Sequence, residues 1–332
     1  MEIGPKPLRI AVVSDGRAGM ENQALGLAEA VARLTPAHID VKRVRWRRAF
    51  DWLPVAMKSP WMLDAASDAP LPDGGVWPDL WIATGRATLP LSLAARRLSG
   101  GRTFVVQTQD PRLNPALFDL VVAPAHDALS GPNVVSITGS PHRITPQVLA
   151  EAAPHFADRL APLPHPRIVV LMGGRSSAFD LTVDHASLLA DQIAEAVRAA
   201  GGSLLLTYSR RTPEAAKAAM TARLRDLPGW IWDGEGPNPL FAFLHYADHI
   251  LVTEDSANMA AEAASTGKPV HVLPMVALKA PGKFARLHAD LTAKGATRSF
   301  DGTLPTWTYA PLVETERAAR SVLPAMGRMP VQ

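Results

Sequence analysis

Short apolar runs alternate with segments of helical periodicity along nearly the whole chain. Arg9 to Val13, Asp79 to Ala83, Thr103 to Thr108, Asp119 to Ala123 and Val134 to Thr138 have strand length and composition, and His38 to Trp46 alternates well enough for another strand. Between them, Ala24, Leu27, Ala28, Val31 and Leu34 give one apolar helical face, and Leu89 to Leu98 gives a second helix. Residues 161–166 (APLPHP) hold three prolines in six positions, which favours an extended connector and a domain boundary. The pattern then restarts. Strands are expected at Arg167 to Met172, Ser203 to Thr207, Trp230 to Asp233, Ile250 to Thr253 and Val270 to Leu273. Helices are expected over Asp184 to Ala200, from Pro213 behind a capping Thr212, around Phe241 to Tyr246, and over Glu314 to Ala325. The last of these follows a long irregular segment containing Trp307 and Tyr309. The fold class is therefore α/β, with two doubly wound parallel sheets covered on both faces, one over residues 1–160 and one over 167–305.

The stretch His249 to Pro274 organises the second half. A strand leads into a polar elbow, Glu254-Asp255-Ser256, then a helix capped by Asp255 or Ser256 and stopped near Gly267, then a second strand. This βαβ unit puts free backbone N–H groups and a positive helix end beyond a strand, which favours an anion. Glu262 lies near the helix face of Asn258, where a sugar hydroxyl would meet it. Many such elbows bind nothing, so their company matters.

That company comes from two more loops beyond strand ends: Gly173-Gly174-Arg175-Ser176-Ser177 and Ser209-Arg210-Arg211. Together the three bring glycine backbone, hydroxyls and guanidinium forks suited to a pyrophosphate. Taken alone, Arg210 and Arg211 read equally as surface cations. No P-loop lysine motif and no G-x-G-x-x-G fingerprint occurs, which disfavours phosphoryl transfer and a dinucleotide. In the first half the loop Ser14 to Gly19 repeats the strand–loop–helix arrangement, and Arg86, Gln109-Asp110 and His142-Arg143 also follow strands, expected to face the second domain across a cleft. Asp15 and Glu21 are the carboxylates best placed for a general base that takes an acceptor proton; each also suits a plain first-turn role.

Composition narrows the rest. The 332 residues include no cysteine, so disulfides and thiolate chemistry are excluded, and the dispersed histidines argue against a built-in metal site. A net charge of +3 does not suggest nucleic acid. The polar start from Met1 to Pro7 argues against secretion, and no segment is apolar enough to span a bilayer, so a cytoplasmic location is expected. The segment Lys42 to Trp61 interleaves Arg43, Arg45, Arg47 and Arg48 with Trp46, Phe50, Trp52 and Trp61. It reads as a solvated basic edge or as a patch for an anionic membrane surface, the inner face of the cytoplasmic membrane.

Six ordered strings closely resemble the mitochondrial-fission, elongated-mitochondria-type family: SDGRAGMENQALGLAEA (14–30), PDLWIATGRAT (78–88), QTQDPR (107–112), MGGRSSAFDLT (172–182), TYSRRTP (207–213) and ADHILVTEDSANMAAEAASTGKPV (247–270). The resemblance implies a glycosyltransferase of the GT-B kind, with a nucleotide sugar as substrate on the C-terminal domain and a glycan or glycolipid acceptor on the N-terminal one. It implies that residues 312–332 return to the first domain, that Glu262 holds the ribose, and that no separate cofactor is needed. The first-half loop lacks the glycine-rich string ending in histidine of related transferases. A nucleoside-diphosphate-sugar epimerase of the same fold, and an adaptor bringing a dynamin-like GTPase to a membrane, are the alternatives the resemblance carries.

Overall fold

The computed structural model describes residues 6–68, 71–72, 75–280 and 282–329. The first five residues of the expected first domain and the last three of the expected 312–332 return lie outside the described residues. The chain forms two compact units, Met1–Arg143 with Val313–Gln332, and Ile144–Leu312.

In the first unit, strands β1 (Leu8–Ser14), β2 (Ala37–Arg43), β3 (Leu80–Thr84), β4 (Phe104–Thr108), β5 (Leu120–Pro124) and β6 (Val134–Ile137) make one sheet in the order β2-β1-β3-β4-β5-β6. Every pairing is parallel. Strands β3 and β5 are buried throughout, as a parallel sheet covered on both faces requires. Helices α1 (Ala18–Ala32) and α2 (Leu89–Leu98) supply the cover expected from their apolar spacing. On the α1 side, Leu27 and Val31 share a core with Ala318, Ala319, Val322 and Leu323 from the Glu314–Ala325 helix. That helix therefore completes the first unit although it follows the second in sequence.

The second unit begins earlier than the proline-rich connector suggests. Helices α3 (Pro146–Ala152) and α4 (Ala157–Leu160) belong to it because Leu149 and Leu160 pack into the core with Val169, Leu171 and Phe243. Residues 161–166 thus lie inside this unit, and the boundary falls at Arg143/Ile144 instead of 160–167. Its sheet uses β7 (Arg167–Met172), β9 (Ser203–Tyr208), β10 (Gly229–Ile231), β11 (His249–Thr253), β12 (Val270–Leu273) and β14 (Thr297–Ser299), all parallel, in the order β10-β9-β7-β11-β12-β14. A small antiparallel pair, β8 (Phe179–Asp180) with β13 (Val276–Ala277), sits beside it. Helices α5 (Val183–Ala199), α6 (Glu214–Leu224), α7 (Leu240–Tyr246), α8 (Ala257–Ala264) and α9 (Lys283–Ala293) cover the faces, and α10 is the Glu314–Ala325 helix of the first unit.

Burial places histidines where charge is costly. Desolvation pushes His142 and His271 down to about 4, from an ordinary value near 6.5. Such a group contributes stability that is full above about pH 6.5 and lost as pH falls toward 4, because the unfolded chain then binds the extra proton. The neighbour-free shift of Glu262, raised to about 7, acts in the opposite sense, so the histidine is isolated by difference. Between pH 7.5 and 5, the wild type is expected to lose on the order of 2 kcal/mol more stability than His142→Gln in urea unfolding. Parallel pH dependences for the two proteins would remove the assignment.

Candidate functional site

The second sheet reverses its direction of growth between β7 and β11, and in such sheets ligands bind beyond the strand ends at the reversal. Three loops meet there. Asp255, whose side chain is completely buried, ties them together: Oδ2 accepts from the Gly174 N–H at 3.1 Å and from Arg211 Nη1 at 2.7 Å. The loops are locked further by the Arg175 N–H donating to the Arg211 carbonyl (2.9 Å) and the Gly173 N–H donating to Thr253 Oγ1 (2.8 Å). Thr212 Oγ1 donates to the Gly173 carbonyl.

The glycines are needed for this closeness. A Cβ on Gly173 would sit 1.9 Å from Asp255 Oδ1, and one on Gly174 would sit 2.1 Å from the Arg211 carbonyl oxygen. Only a residue without a side chain lets these backbones approach.

Several expected phosphate ligands have partners within the protein. Ser176 Oγ accepts from the Ala178 and Phe179 N–H groups, and Ser209 Oγ accepts from the Arg211 N–H. Ser256 is the N-cap of α8, accepting from the Met259 N–H at 3.4 Å. Asp255 is the buried pin, and Glu254 Oε2 accepts from the Met275 N–H at 3.0 Å. Partial burial raises the Glu254 carboxyl.

Other groups remain presented. Arg210 is exposed and engages no partner among the described residues; Arg175 is exposed, its Nε 3.4 Å from Asp180 Oδ1. Ser177 is exposed and Asn258 is half-buried on the first turn of α8. Glu262 differs from every other carboxylate described. It is only 8% exposed, no hydrogen bond or ion pair among the described residues engages it, and desolvation raises it to about 7. Sequence spacing singled out Glu262, but Thr253, Thr212 and the pinning role of Asp255 went unseen, since they depend on loops distant in sequence.

In the first unit the expected bases are both ion-paired. Arg43 forks onto Glu21 (2.7 and 2.8 Å), with Ser14 Oγ donating at 3.2 Å, and the Arg43 hydrogen bonds hold the Glu21 carboxyl below its ordinary value. Asp15 accepts from the Arg17 N–H (3.1 Å) and pairs with its guanidinium at 2.6 Å. Among the described residues no cluster of three or more His, Asp or Glu could hold a metal ion.

With this geometry in hand, comparison with known proteins is informative. The family described as Mitochondrial fission ELM1 matches residues 18–326. The Mitochondrial fission protein ELM1 of Arabidopsis thaliana is 30% identical over 388 aligned positions, covering 95% of this chain and 90% of that protein. Among solved structures, the UDP-GlcNAc 2-epimerase from Methanocaldococcus jannaschii is similar with a TM-score of 0.54 at 13% identity, over 95% of this chain and 99% of that one. Its complex with UDP-GlcNAc and UDP gives a TM-score of 0.50 at 12% identity, over 97% and 94%. The glycotransferase of kitacinnamycin gives a TM-score of 0.51 at 14% identity, over 97% and 91%. These likenesses identify the fold as GT-B.

The pin yields an expected outcome. Asp255→Ala leaves the Arg211 guanidinium and the Gly174 N–H without their acceptor, and should cost about 2 kcal/mol in denaturant unfolding. Asp255→Asn, which keeps an acceptor for the amide, should cost less; equal and negligible losses would show that the three loops hold together without it.

Proposed function

This chain belongs to the Mitochondrial fission ELM1 family, and from that premise we propose that it is a GT-B glycosyltransferase, binding a nucleotide-activated sugar in its second unit and transferring the sugar to a glycan or glycolipid acceptor. The observation that carries this is Glu262: a carboxyl nearly buried, unpartnered among the described residues, on the helix that begins at the pinned elbow. A ribose with two adjacent hydroxyls is the kind of group that repays leaving such a carboxyl open, since each hydroxyl donates a charge-assisted hydrogen bond. The diphosphate would then meet the N-terminal end of α8 and the unengaged guanidinium of Arg210, with Arg175 able to turn from its long Asp180 contact. Asp255 holds Arg211 and the Gly174 amide in place, so its part is positioning.

For the acceptor proton, Asp15 and Glu21 stay the two candidate bases: each is held by an exposed arginine, Arg17 or Arg43, that would have to release it, and Arg43 keeps Glu21 below its ordinary value. The donor sugar nucleotide is a substrate, and guanidinium groups supply the charge that the departing diphosphate needs.

One surface feature supports an acceptor at a membrane face. Trp52, Met57 and Trp61 are 77%, 60% and 62% exposed, and Arg45, Arg47 and Arg48 beside them are exposed as well. Trp46 is the exception within this segment: it is buried, its indole N–H donating to the Ala87 carbonyl at 2.8 Å, and so anchors the rest. Aromatics next to cations suit the boundary of an anionic bilayer.

The donor site has a pH signature. Ligand hydroxyls favour the ionised carboxylate of Glu262, so nucleoside-diphosphate affinity should rise as pH passes upward through about 7 and level off above it. Glu262→Gln should bind at least about tenfold more weakly at pH 8 and lose the pH dependence. Calorimetry checks both, and unchanged affinity in the variant would sink the ribose assignment. Incubating nucleotide sugars in deuterated water without acceptor separates the transferase from an epimerase, which alone would exchange a ring hydrogen. On vesicles of anionic lipid, the wild type should float at low salt and Arg48→Glu with Trp52→Ser should remain at the bottom; sedimentation of the wild type would end the membrane assignment.

A further inference from the structure

We propose that the first unit contains a site for an anionic amphiphile, with a phosphate-bearing head on the polar floor of a cavity beyond β3 and β4 and an alkyl tail along the apolar wall of a groove beside it; this names the acceptor class and so rests on the transferase reading above. The cavity, of about 540 Å³, lies at the carboxyl ends of β3 and β4, beside the point where this sheet reverses between β1 and β3. Gln107 and Thr108 form a buried polar floor, the Thr108 hydroxyl meeting that of Thr84 and Gln107 Oε1 accepting from Ser92 Oγ.

One side of the cavity is held in an unusual backbone. Gln109 and Arg112 have φ of +68° and +55°, a region that residues with side chains rarely adopt. They are held there by specific bonds. The Gln109 N–H donates to the Val122 carbonyl and its side-chain amide to Gln23 Oε1, both at 2.9 Å. Asp110 accepts from the Arg112 N–H (2.8 Å) and from its guanidinium (3.0 Å). Left-handed backbone at ordinary side chains is unfavourable and persists where a loop shape is needed, often around a ligand. Asp110 neutralises Arg112, whereas Arg86 on the cavity rim is exposed and engages no partner among the described residues. The net charge presented at the rim is therefore positive.

The second part of the site is the neighbouring groove, of about 790 Å³. It shares Val55 and Ala56 with the first cavity as a common wall; Pro60, Pro90, Leu93, Ala94 and Leu117 form its apolar side, and Ser59 and Arg96, the latter committed to Asp119, its polar side. Its rim carries Lys58 and Arg97, and the exposed Met57 belongs to the same turn as the shared wall. A free sugar or phosphate would use the first cavity and leave the groove wet. A neutral lipid would use the groove and leave Arg86 unanswered. A phosphorylated head on an aliphatic tail answers both, and the exposed Trp52 and Trp61 put the entrance where such a molecule resides.

The test uses the full chain and alkyl phosphates kept below their micelle-forming concentration. By calorimetry, decyl phosphate should bind at least 100-fold more tightly than inorganic phosphate, with hexyl phosphate between them, each buried pair of methylenes being worth roughly tenfold. Arg86→Gln should weaken decyl phosphate about tenfold without affecting decyl maltoside, since only the charged head meets it. Leu117→Glu should weaken decyl phosphate while leaving inorganic phosphate unchanged. Both positions are solvent-exposed, so circular dichroism should match the wild type. Equal affinity for decyl and inorganic phosphate, or wild-type affinity in both variants, overturns the proposal. Nucleoside-diphosphate binding by the second unit is followed in the same samples. If it persists while alkyl phosphates fail to bind, this inference falls and the donor site stands; the converse result removes the donor site and keeps this one.

Discussion

One buried carboxylate holds the loops of the second unit together. Asp255 takes the amide of Gly174 and the guanidinium of Arg211, and so fastens the ends of β7, β9 and β11 at a single point. Burying that charge is expensive unless it is paired, and the cost explains the pattern around it. The loop after β7 begins with two glycines because any side chain would collide with the pin or with the Arg211 carbonyl. Arg211 is exposed but committed to this pin, and Arg210, its neighbour in sequence, is the one left without a partner among the described residues. A pair of adjacent arginines that looks redundant in sequence is divided by the fold into a structural member and a presented one.

The strand pattern was largely legible because parallel strands buried on both faces are continuous apolar runs, and Arg167 to Met172 or His249 to Thr253 have no competing interpretation. Elements that escaped notice are those whose burial comes from one edge only. Helix α9 buries just Leu287 and Leu291, and β14 is an edge strand with Thr297 inside and Arg298 and Ser299 outside. The proline-rich stretch 161–166 looked like a boundary because composition reports local stiffness, whereas membership of a unit is decided by where Leu149 and Leu160 bury themselves.

The site was legible in outline, and the partners its side chains find within the protein were not, for a physical reason. Serine, aspartate and glycine at strand ends serve equally for holding a ligand and for holding the loop that holds it. Ser176, Ser209 and Ser256 accept from backbone amides of their own turns or caps while each O–H stays able to donate, a geometry that composition does not reveal. Glu262 could be singled out because no short-range use exists for a carboxylate on the inner face of a small-residue helix. The likeness to epimerase and transferase structures fixes the fold shared by both chemistries, and Asp15 and Glu21 are each held by an arginine, Arg17 and Arg43.

The return of α10 bears on how the molecule is made. Its residues Ala318, Ala319, Val322 and Leu323 close the hydrophobic core that β1 and α1 begin, yet the ribosome produces the whole of Ile144–Leu312 in between. The middle portion can mature as soon as it emerges, while the opening sheet must wait with an apolar face uncovered until the closing helix is synthesised. At elongation rates of about 5–20 residues per second, the 170 or so intervening residues translate into a delay of roughly ten to thirty seconds, during which that face depends on a chaperone or on transient collapse for protection.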